Sequence, residues 1–144
     1  MQSIFKTVGI VGTGAMGRGI AQMAAQAGSQ VLLFDVQSGA AEAAIQALQS
    51  TWQTLQTKGK LDESQVGTYV ARLQIAESVA ALAPCDLVVE AVVERLDVKQ
   101  RLFAELEDIV SPTAVLATNT SSLSVTSIAA ALKRPGQLAG YHFF

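Results

Sequence analysis

The feature that most constrains this chain is the glycine segment Gly12-Thr13-Gly14-Ala15-Met16-Gly17, together with what flanks it. Before it runs Val8-Gly9-Ile10-Val11, too short for a helix and β-branched enough for a buried strand. After it comes an alanine-rich segment of helical character that stops at Gly28. A second apolar run, Val31-Leu32-Leu33-Phe34, then ends on Asp35. Strand, glycine turn, helix and strand, closed by an acid about 20 residues after the turn, is the order and spacing of a dinucleotide-binding unit.

Each position in that unit has a physical role. Gly12 allows a sharp exit from the strand, Gly14 a close approach of backbone to a pyrophosphate, and Gly17 a close packing of helix on strand. A pyrophosphate would meet the unpaired N–H groups and positive dipole end of the helix beginning at Ala15 and Met16. Asp35 can accept hydrogen bonds from both ribose hydroxyls of the adenosine half. Its charge repels a 2′-phosphate, so the spacing predicts NAD rather than NADP. A bare glycine motif could be only a flexible turn; the strand before, the helix after and the terminal acid argue for a cofactor site.

The remaining chain alternates strands and helices, with one departure. A helical pattern runs from about Ser38 to Lys58, with Ala41, Ala44, Ile45, Leu48, Trp52 and Leu55 on one stripe. Gly59 breaks it, and Asp62 with Gln65 resembles a capping box that starts a second, shorter helix. This helical hairpin, about residues 38–72, is expected to project from the sheet. Further strands are expected at Leu73–Ala76, at Leu87–Val93 with an interruption at Glu90, at Ala114–Ala117 and at Leu138–Phe144. Between them, Asp97 starts a helix with Val98, Leu102, Leu106, Ile109 and Val110 inward. Ser124 is placed to cap another, with Lys133 and Arg134 at its negative end. The expected fold is α/β, a Rossmann-type doubly wound, mainly parallel sheet of about six strands.

Composition agrees and excludes other classes. With 144 residues, half of them hydrophobic and 15% charged, the chain suits one domain built on a sheet buried on both faces. The net charge of −2 and the lack of a basic cluster speak against a nucleic-acid partner. No apolar run reaches the roughly 18 residues of a membrane span, and the first strand begins too early to leave room for a signal peptide. A lone cysteine, Cys85, suits a reducing compartment, so a cytoplasmic protein is expected. No metal-ligand spacing appears.

In such sheets ligands bind outside the carboxyl ends of the strands, where the glycine turn, Asp35, the loop Asn119-Thr120-Ser121-Ser122 and His142 all fall. His142, the only histidine, is either a structural residue among aromatics or a base able to take a proton from an alcohol while hydride leaves for a nicotinamide. Ser121 could hydrogen-bond the reacting oxygen or simply cap its loop. Glu94 and Lys99 could fix a cofactor ribose or form a solvated pair. Cys85, beside a proline, reads as inert.

The segments GIVGTGAMGRGIA, DLVVEAVVERLDVKQRLFAELE, ATNTSSLSVTSIAAALKRP and GYHFF together resemble the NAD-binding N-terminal domain of 3-hydroxyacyl-CoA dehydrogenases over essentially the whole chain. The NTSSL loop and the HFF ending are more specific than the glycine motif. They separate this family from the hydroxyisobutyrate and 6-phosphogluconate dehydrogenases. The resemblance implies oxidation of an L-3-hydroxyacyl-CoA to the 3-oxoacyl-CoA with NAD. His142 would then be the base, and Ser121 would bind the substrate oxygen near the nicotinamide. Asn119, Glu94 and Lys99 would contact the cofactor, while Thr51 and Lys58 would meet the CoA.

The family continues past HFF with a cofactor-binding asparagine, a glutamate paired to the histidine, and a helical domain that carries dimer contacts. Expected from this are NAD binding with poor turnover by this chain alone, self-association through exposed apolar surface, and a homodimeric full-length protein. Competing readings are a non-catalytic dinucleotide-binding module, or a relative acting on 3-hydroxybutyryl-CoA, 3-hydroxyadipyl-CoA or gulonate.

Overall fold

A computed structural model describes residues 5–92 and 94–141 of the chain. The elements are β1 (Thr7–Val11), α1 (Ala15–Ala27), β2 (Gln30–Phe34), α2 (Ala40–Thr57), α3 (Glu63–Ala71), β3 (Leu73–Ile75), β4 (Leu87–Glu90), α4 (Leu96–Ile109), β5 (Val115–Thr118), α5 (Ser122–Ala130) and β6 (Leu138–Gly140). Short 3-10 turns at Val79–Leu82 and Pro135–Gln137 lead into β4 and β6.

All six strands run parallel in the order β3-β2-β1-β4-β5-β6. The chain starts at the centre, winds outward to β3, then returns to the other side of β1. That reversal opens a crevice between the carboxyl ends of β1 and β4, the place such sheets reserve for ligands. The Rossmann-type sheet is therefore present as the strand–helix alternation predicts.

Strand side chains alternate between two cores. Val8, Ile10, Val31 and Leu33 pack with α1, α2 and α3 on one face. Val11, Val88 and Leu116 pack with Leu82, Phe103, Leu106 and Ile128 on the other. Each fully buried large side chain contributes about 1.5–3 kcal/mol, which explains why the strands read as near-continuous apolar runs.

The hairpin of α2 and α3 forms where expected, with the capping box intact: Gln65 N–H donates to Asp62 Oδ1 at 2.7 Å, and Asp62 N–H donates to Gln65 Oε1 at 2.9 Å. Its apolar stripe is not free-standing. Trp52 is fully buried and donates through Nε1 to Gln26 Oε1 of α1 at 3.1 Å. The hairpin thus closes over α1 and the β3 edge, and its turn around Lys58–Lys60 reaches solvent.

Several expectations need correction. Glu90 does not interrupt a strand; it is the last residue of β4, and Ala91 and Val92 lie beyond it. On α4 the buried stripe is Lys99, Phe103, Leu106 and Glu107, whereas Val98 and Leu102 are only partly covered. The α5 cap is Ser121 rather than Ser124. Lys133 and Arg134 do not serve the α5 terminus. Their backbone N–H groups donate to the Glu107 carboxylate of α4, because that acid is buried and needs donors. Strand β6 is described only to Gly140, and residues 142–144 lie outside the described residues.

Candidate functional site

The site begins where β1 ends. Gly12 turns the chain at φ 96°, and a Cβ there would stand 2.6 Å from the Ala91 carbonyl oxygen. A Cβ on Gly17 would stand 1.8 Å from the Gly12 carbonyl oxygen, so α1 lies against the turn only because position 17 has no side chain. Gly14 differs from both. A Cβ there would meet no protein atom within 4 Å, and its backbone angles suit any residue. The packing of the chain itself does not require glycine at 14.

The first turn of α1, at Ala15 and Met16, carries no side-chain cap and no acidic residue. Its N–H groups and positive dipole end therefore remain available to an anion. The contrast with α3 and α5, whose first turns are capped by Asp62 and Ser121, is local and chemical.

Asp35 stands at the end of β2, next to this turn. Its Oδ2 accepts from Thr13 N–H at 2.9 Å and from the Thr13 hydroxyl at 2.8 Å, and its Oδ1 accepts from Gln37 N–H at 2.9 Å. Partial burial works to raise its pKa. The hydrogen bonds from Gln37 and Thr13 outweigh that and hold the carboxyl below its ordinary range. It is an anion at neutral pH, already oriented.

A cleft of about 680 Å³ runs from the glycine turn past Asp35. Val36, Val79, Val92, Val98 and Leu102 make it apolar, and Arg101 and Glu105 stand at its lip. Val36 is 90% exposed, an unusual state for a large apolar side chain, and here it faces the cleft mouth. An uncapped helix start, an oriented carboxylate and an apolar cleft beside them could hold the pyrophosphate, ribose and adenine of a dinucleotide.

Across the β4–β5 ends lies a second group of residues. Lys99, only 1% exposed, sends Nζ to Asn119 O at 2.9 Å, to Glu90 Oε1 at 3.2 Å and to Glu94 Oε1 at 3.3 Å. Of the two readings of Glu94 and Lys99, the solvated pair holds only for Glu94, which is exposed; Lys99 is buried, because α4 turns it inward at the first turn. Glu94 also accepts from the Thr120 hydroxyl, the largest cause holding it below the ordinary carboxylate range; slight desolvation opposes this and Lys99 adds to it. The Asn119 side-chain amide points back to the Met16 thioether. That contact brings the loop and the glycine turn together.

Ser121 Oγ accepts from Ser124 N–H at 3.3 Å and donates to Ser124 Oγ at 3.2 Å, both long bonds. It lines a second cavity of about 630 Å³ with Thr120, Ser122, Val125, Thr126, Gly140 and Tyr141. The Tyr141 hydroxyl donates to the Glu90 carbonyl oxygen at 2.7 Å, and burial followed by the nearby Glu90 charge pushes its pKa up. His142 and the rest of the HFF ending lie outside the described residues.

Thr51 and Lys58 are not brought to this edge. Thr51 is exposed on α2 and Lys58 at its end, and the neighbours of α2 are α1, α3 and β3, on the opposite half of the sheet from Ser121. Cys85 is buried beneath Gly9, and desolvation with the Asp86 charge pushes its thiol up to about 12. Among the described residues no acidic, histidine and cysteine cluster could hold a metal, and no helix is long and apolar enough to cross a membrane.

Glu90 is the residue that sequence reasoning missed. Two signals could have found it: an acid inside an apolar run of a doubly buried strand must be paired, and Lys99 sits on the same stripe as Phe103, Leu106 and Val110.

The chain matches the model of the 3-hydroxyacyl-CoA dehydrogenase NAD-binding domain over residues 7–144. It is 45% identical over 139 residues to 3-hydroxyadipyl-CoA dehydrogenase of Escherichia coli K12, covering 96% of this chain and 29% of that protein. It is 38% identical over 143 residues to 3-hydroxybutyryl-CoA dehydrogenase of Bradyrhizobium diazoefficiens, covering 99% of this chain and 49% of that one. A crystal structure of 3-hydroxybutyryl-CoA dehydrogenase from E. coli K12 superposes with a TM-score of 0.93 at 44% identity, over 99% of this chain and 30% of that one. The chain thus spans from 29% to 49% of the length of these relatives.

Proposed function

Because this chain belongs to the 3-hydroxyacyl-CoA dehydrogenase family as its NAD-binding domain, we propose that it is the cofactor-holding part of an enzyme oxidising an L-3-hydroxyacyl-CoA to the 3-oxoacyl-CoA. When bound, NAD supplies the hydride acceptor for this reaction. The chain's own residues bind, orient and move the proton. The first turn of α1 at Gly14, Ala15 and Met16 takes the pyrophosphate, with Gly12 and Gly17 shaping the turn. Asp35 takes the adenosine ribose and disfavours a 2′-phosphate by charge.

Glu94, held beside Lys99, and Asn119 face the nicotinamide half. Ser121 exchanges its long bond to Ser124 for one to the substrate oxygen, which costs little because that bond is already near the distance limit. His142 takes the hydroxyl proton. Tyr141, its neighbour in sequence, is a poor candidate for the base, since its hydroxyl is committed to the Glu90 carbonyl and its raised pKa keeps it protonated. Imidazole is the side chain whose free form exchanges a proton nearest neutral pH, which suits the role. Thr51 and Lys58, about two turns apart, would meet the CoA, the cation pairing with phosphate.

The observation that carries this reading is the convergence on one sheet edge of the uncapped α1 start, the pre-oriented Asp35 and the Asn119–Ser121 loop. Calorimetric titration with NADH and then NADPH tests it. NADH should bind tighter by about tenfold or more, near 1.4 kcal/mol, and Asp35→Ala should erase most of that preference. Equal affinity for both cofactors in the parent chain would refute the role given to Asp35, and binding of neither would refute the cofactor site.

A further inference from the structure

We propose that Glu90 is a positioning residue for the nicotinamide half of the site: it fixes Lys99, and through it the Asn119–Ser121 loop and Glu94, while its backbone anchors the chain just before His142. The inference rests on the function proposed above and adds a residue that touches neither cofactor nor substrate.

Glu90 is the point where three strand ends are joined. Its side chain is fully buried at the end of β4. One carboxylate oxygen accepts from the Thr118 hydroxyl of β5 at 2.6 Å and from Lys99 Nζ of α4 at 3.2 Å. The other accepts from Val92 N–H at 2.7 Å. Its carbonyl accepts from the Tyr141 hydroxyl, beyond β6, at 2.7 Å. Lys99 then spends its remaining donors on Asn119 O and Glu94, the two groups that face the nicotinamide half.

A buried ion pair is a weak way to gain stability, because both charges must be desolvated and an apolar pair of the same volume often does as well. What the pair provides is fixed geometry. With the carboxylate in place, the ammonium is held where it meets Glu90, Glu94 and Asn119 O together. Without it, the one acid still paired to Lys99 among the described residues is Glu94, which is exposed. The ammonium would move toward that carboxylate and toward water, releasing the Asn119 carbonyl. The loop that carries Ser121 would lose its tie to α4. The adenosine half meets this network only indirectly, where Val92, whose N–H donates to Glu90, lines the apolar cleft and where Asn119 touches Met16. Among the described residues, Asp35 and the turn from Gly12 to Gly14 make no bond to it, so the adenosine half should change far less than the nicotinamide half.

The test is Glu90→Gln, nearly equal in volume, titrated with NADH and with ADP, which fills only the adenosine-diphosphate half. In the parent chain NADH should bind tighter than ADP; if it does not, the loop has no nicotinamide role, and both the proposed function and this inference fail. If it does, Glu90→Gln should weaken NADH by about tenfold or more and leave ADP within about twofold, the scale of losing a charge-assisted hydrogen bond. An unchanged NADH-to-ADP ratio, or a parallel loss of both, would overturn the positioning role while leaving the function intact.

Should that variant not fold, Thr118→Val removes one donor to Glu90 without changing charge. It should lower the NADH-to-ADP ratio in the same direction, and an unchanged ratio would overturn the proposal. The double variant Glu90→Gln/Lys99→Met removes both charges. A positioning role that acts through Lys99 predicts that the NADH-to-ADP ratio falls no further than in the Lys99→Met single variant; a further, additive fall would show that Glu90 acts independently of Lys99 and would overturn the proposal.

Discussion

Gly14 and Gly17 lie three residues apart in the same turn, and the structure predicts opposite consequences for replacing them with alanine. At Gly17 the new Cβ would be 1.8 Å from the Gly12 carbonyl oxygen, a backbone atom just past β1, and it would be fixed rigidly to the α1 backbone. Neither can yield without moving α1 off β1. Overpacking of that kind costs typically 1–3 kcal/mol, and more when backbone must shift, so Gly17→Ala should lose about 3 kcal/mol or more. At about 2–4 °C per kcal/mol for a chain of this size, the midpoint should fall by roughly 6–12 °C. At Gly14 the new Cβ meets no protein atom, and φ −69° with ψ −168° is open to alanine. Reduced freedom of the unfolded chain stabilises by about 0.4–1 kcal/mol, and alanine's poorer fit as a helix N-cap costs a similar amount. The midpoint should therefore move by less than about 4 °C. The added methyl would instead stand where a pyrophosphate must approach. Losing one charge-assisted hydrogen bond there, about 2–3 kcal/mol, would weaken NADH by about 30- to 150-fold. Thermal unfolding followed by circular dichroism and calorimetric titration read the two effects separately. Unchanged NADH affinity in Gly14→Ala, or a collapse of its thermal midpoint, would overturn this account of the turn.

Trp52→Phe should cost about 1 kcal/mol through the lost bond to Gln26, and Trp52→Ala about 3–5 kcal/mol, both read by urea unfolding. Asp35 has a lowered pKa in the folded chain, so its contribution to stability is present above its unfolded value of about 3.9 and is lost as pH falls through the folded value below that. Asp35→Asn should flatten the acid limb of a stability-versus-pH curve, and an unchanged limb would show that its hydrogen bonds are equally strong to the neutral form. The Cys85 thiol, buried and pushed up to about 12, should resist a thiol reagent at neutral pH in the folded chain and react rapidly in denaturant. Fast labelling under native conditions would mean that the core around Gly9 opens readily.

Features that depend on residues close together in the chain were legible before any fold was known. The β1–turn–α1 unit is one such case, because Gly12 turns at a positive φ and Gly17 must clear the Gly12 carbonyl five positions before it. The α3 capping box is another, since Asp62 and Gln65 satisfy each other within a single turn. The placement of Asp35 and the Asn119–Ser121 loop at one edge also follows, because parallel strands present all their carboxyl ends on the same side. Which charges are buried depended instead on the packed fold. Glu90 read as a break in an apolar run, and Lys99 as either a cofactor contact or half of a solvated pair with Glu94, neither of which places it in the core, since a charged residue is far more often exposed than buried. Their burial follows from the winding of β4 and α4 against β5, which sets a carboxylate, an ammonium and the Asn119 carbonyl within 3.2 Å of one another in successive contacts. Ser121 rather than Ser124 became the α5 cap for a similar reason: β5 runs through Thr118, whose carbonyl is held by the Tyr141 N–H, and so the chain leaves the sheet in time for Ser121 to close the helix. Contacts across 28 residues, such as Thr118 to Glu90, have no local pattern to announce them. They exist because each buried polar group in a closed core must find a partner, and the fold alone decides which partners are within reach.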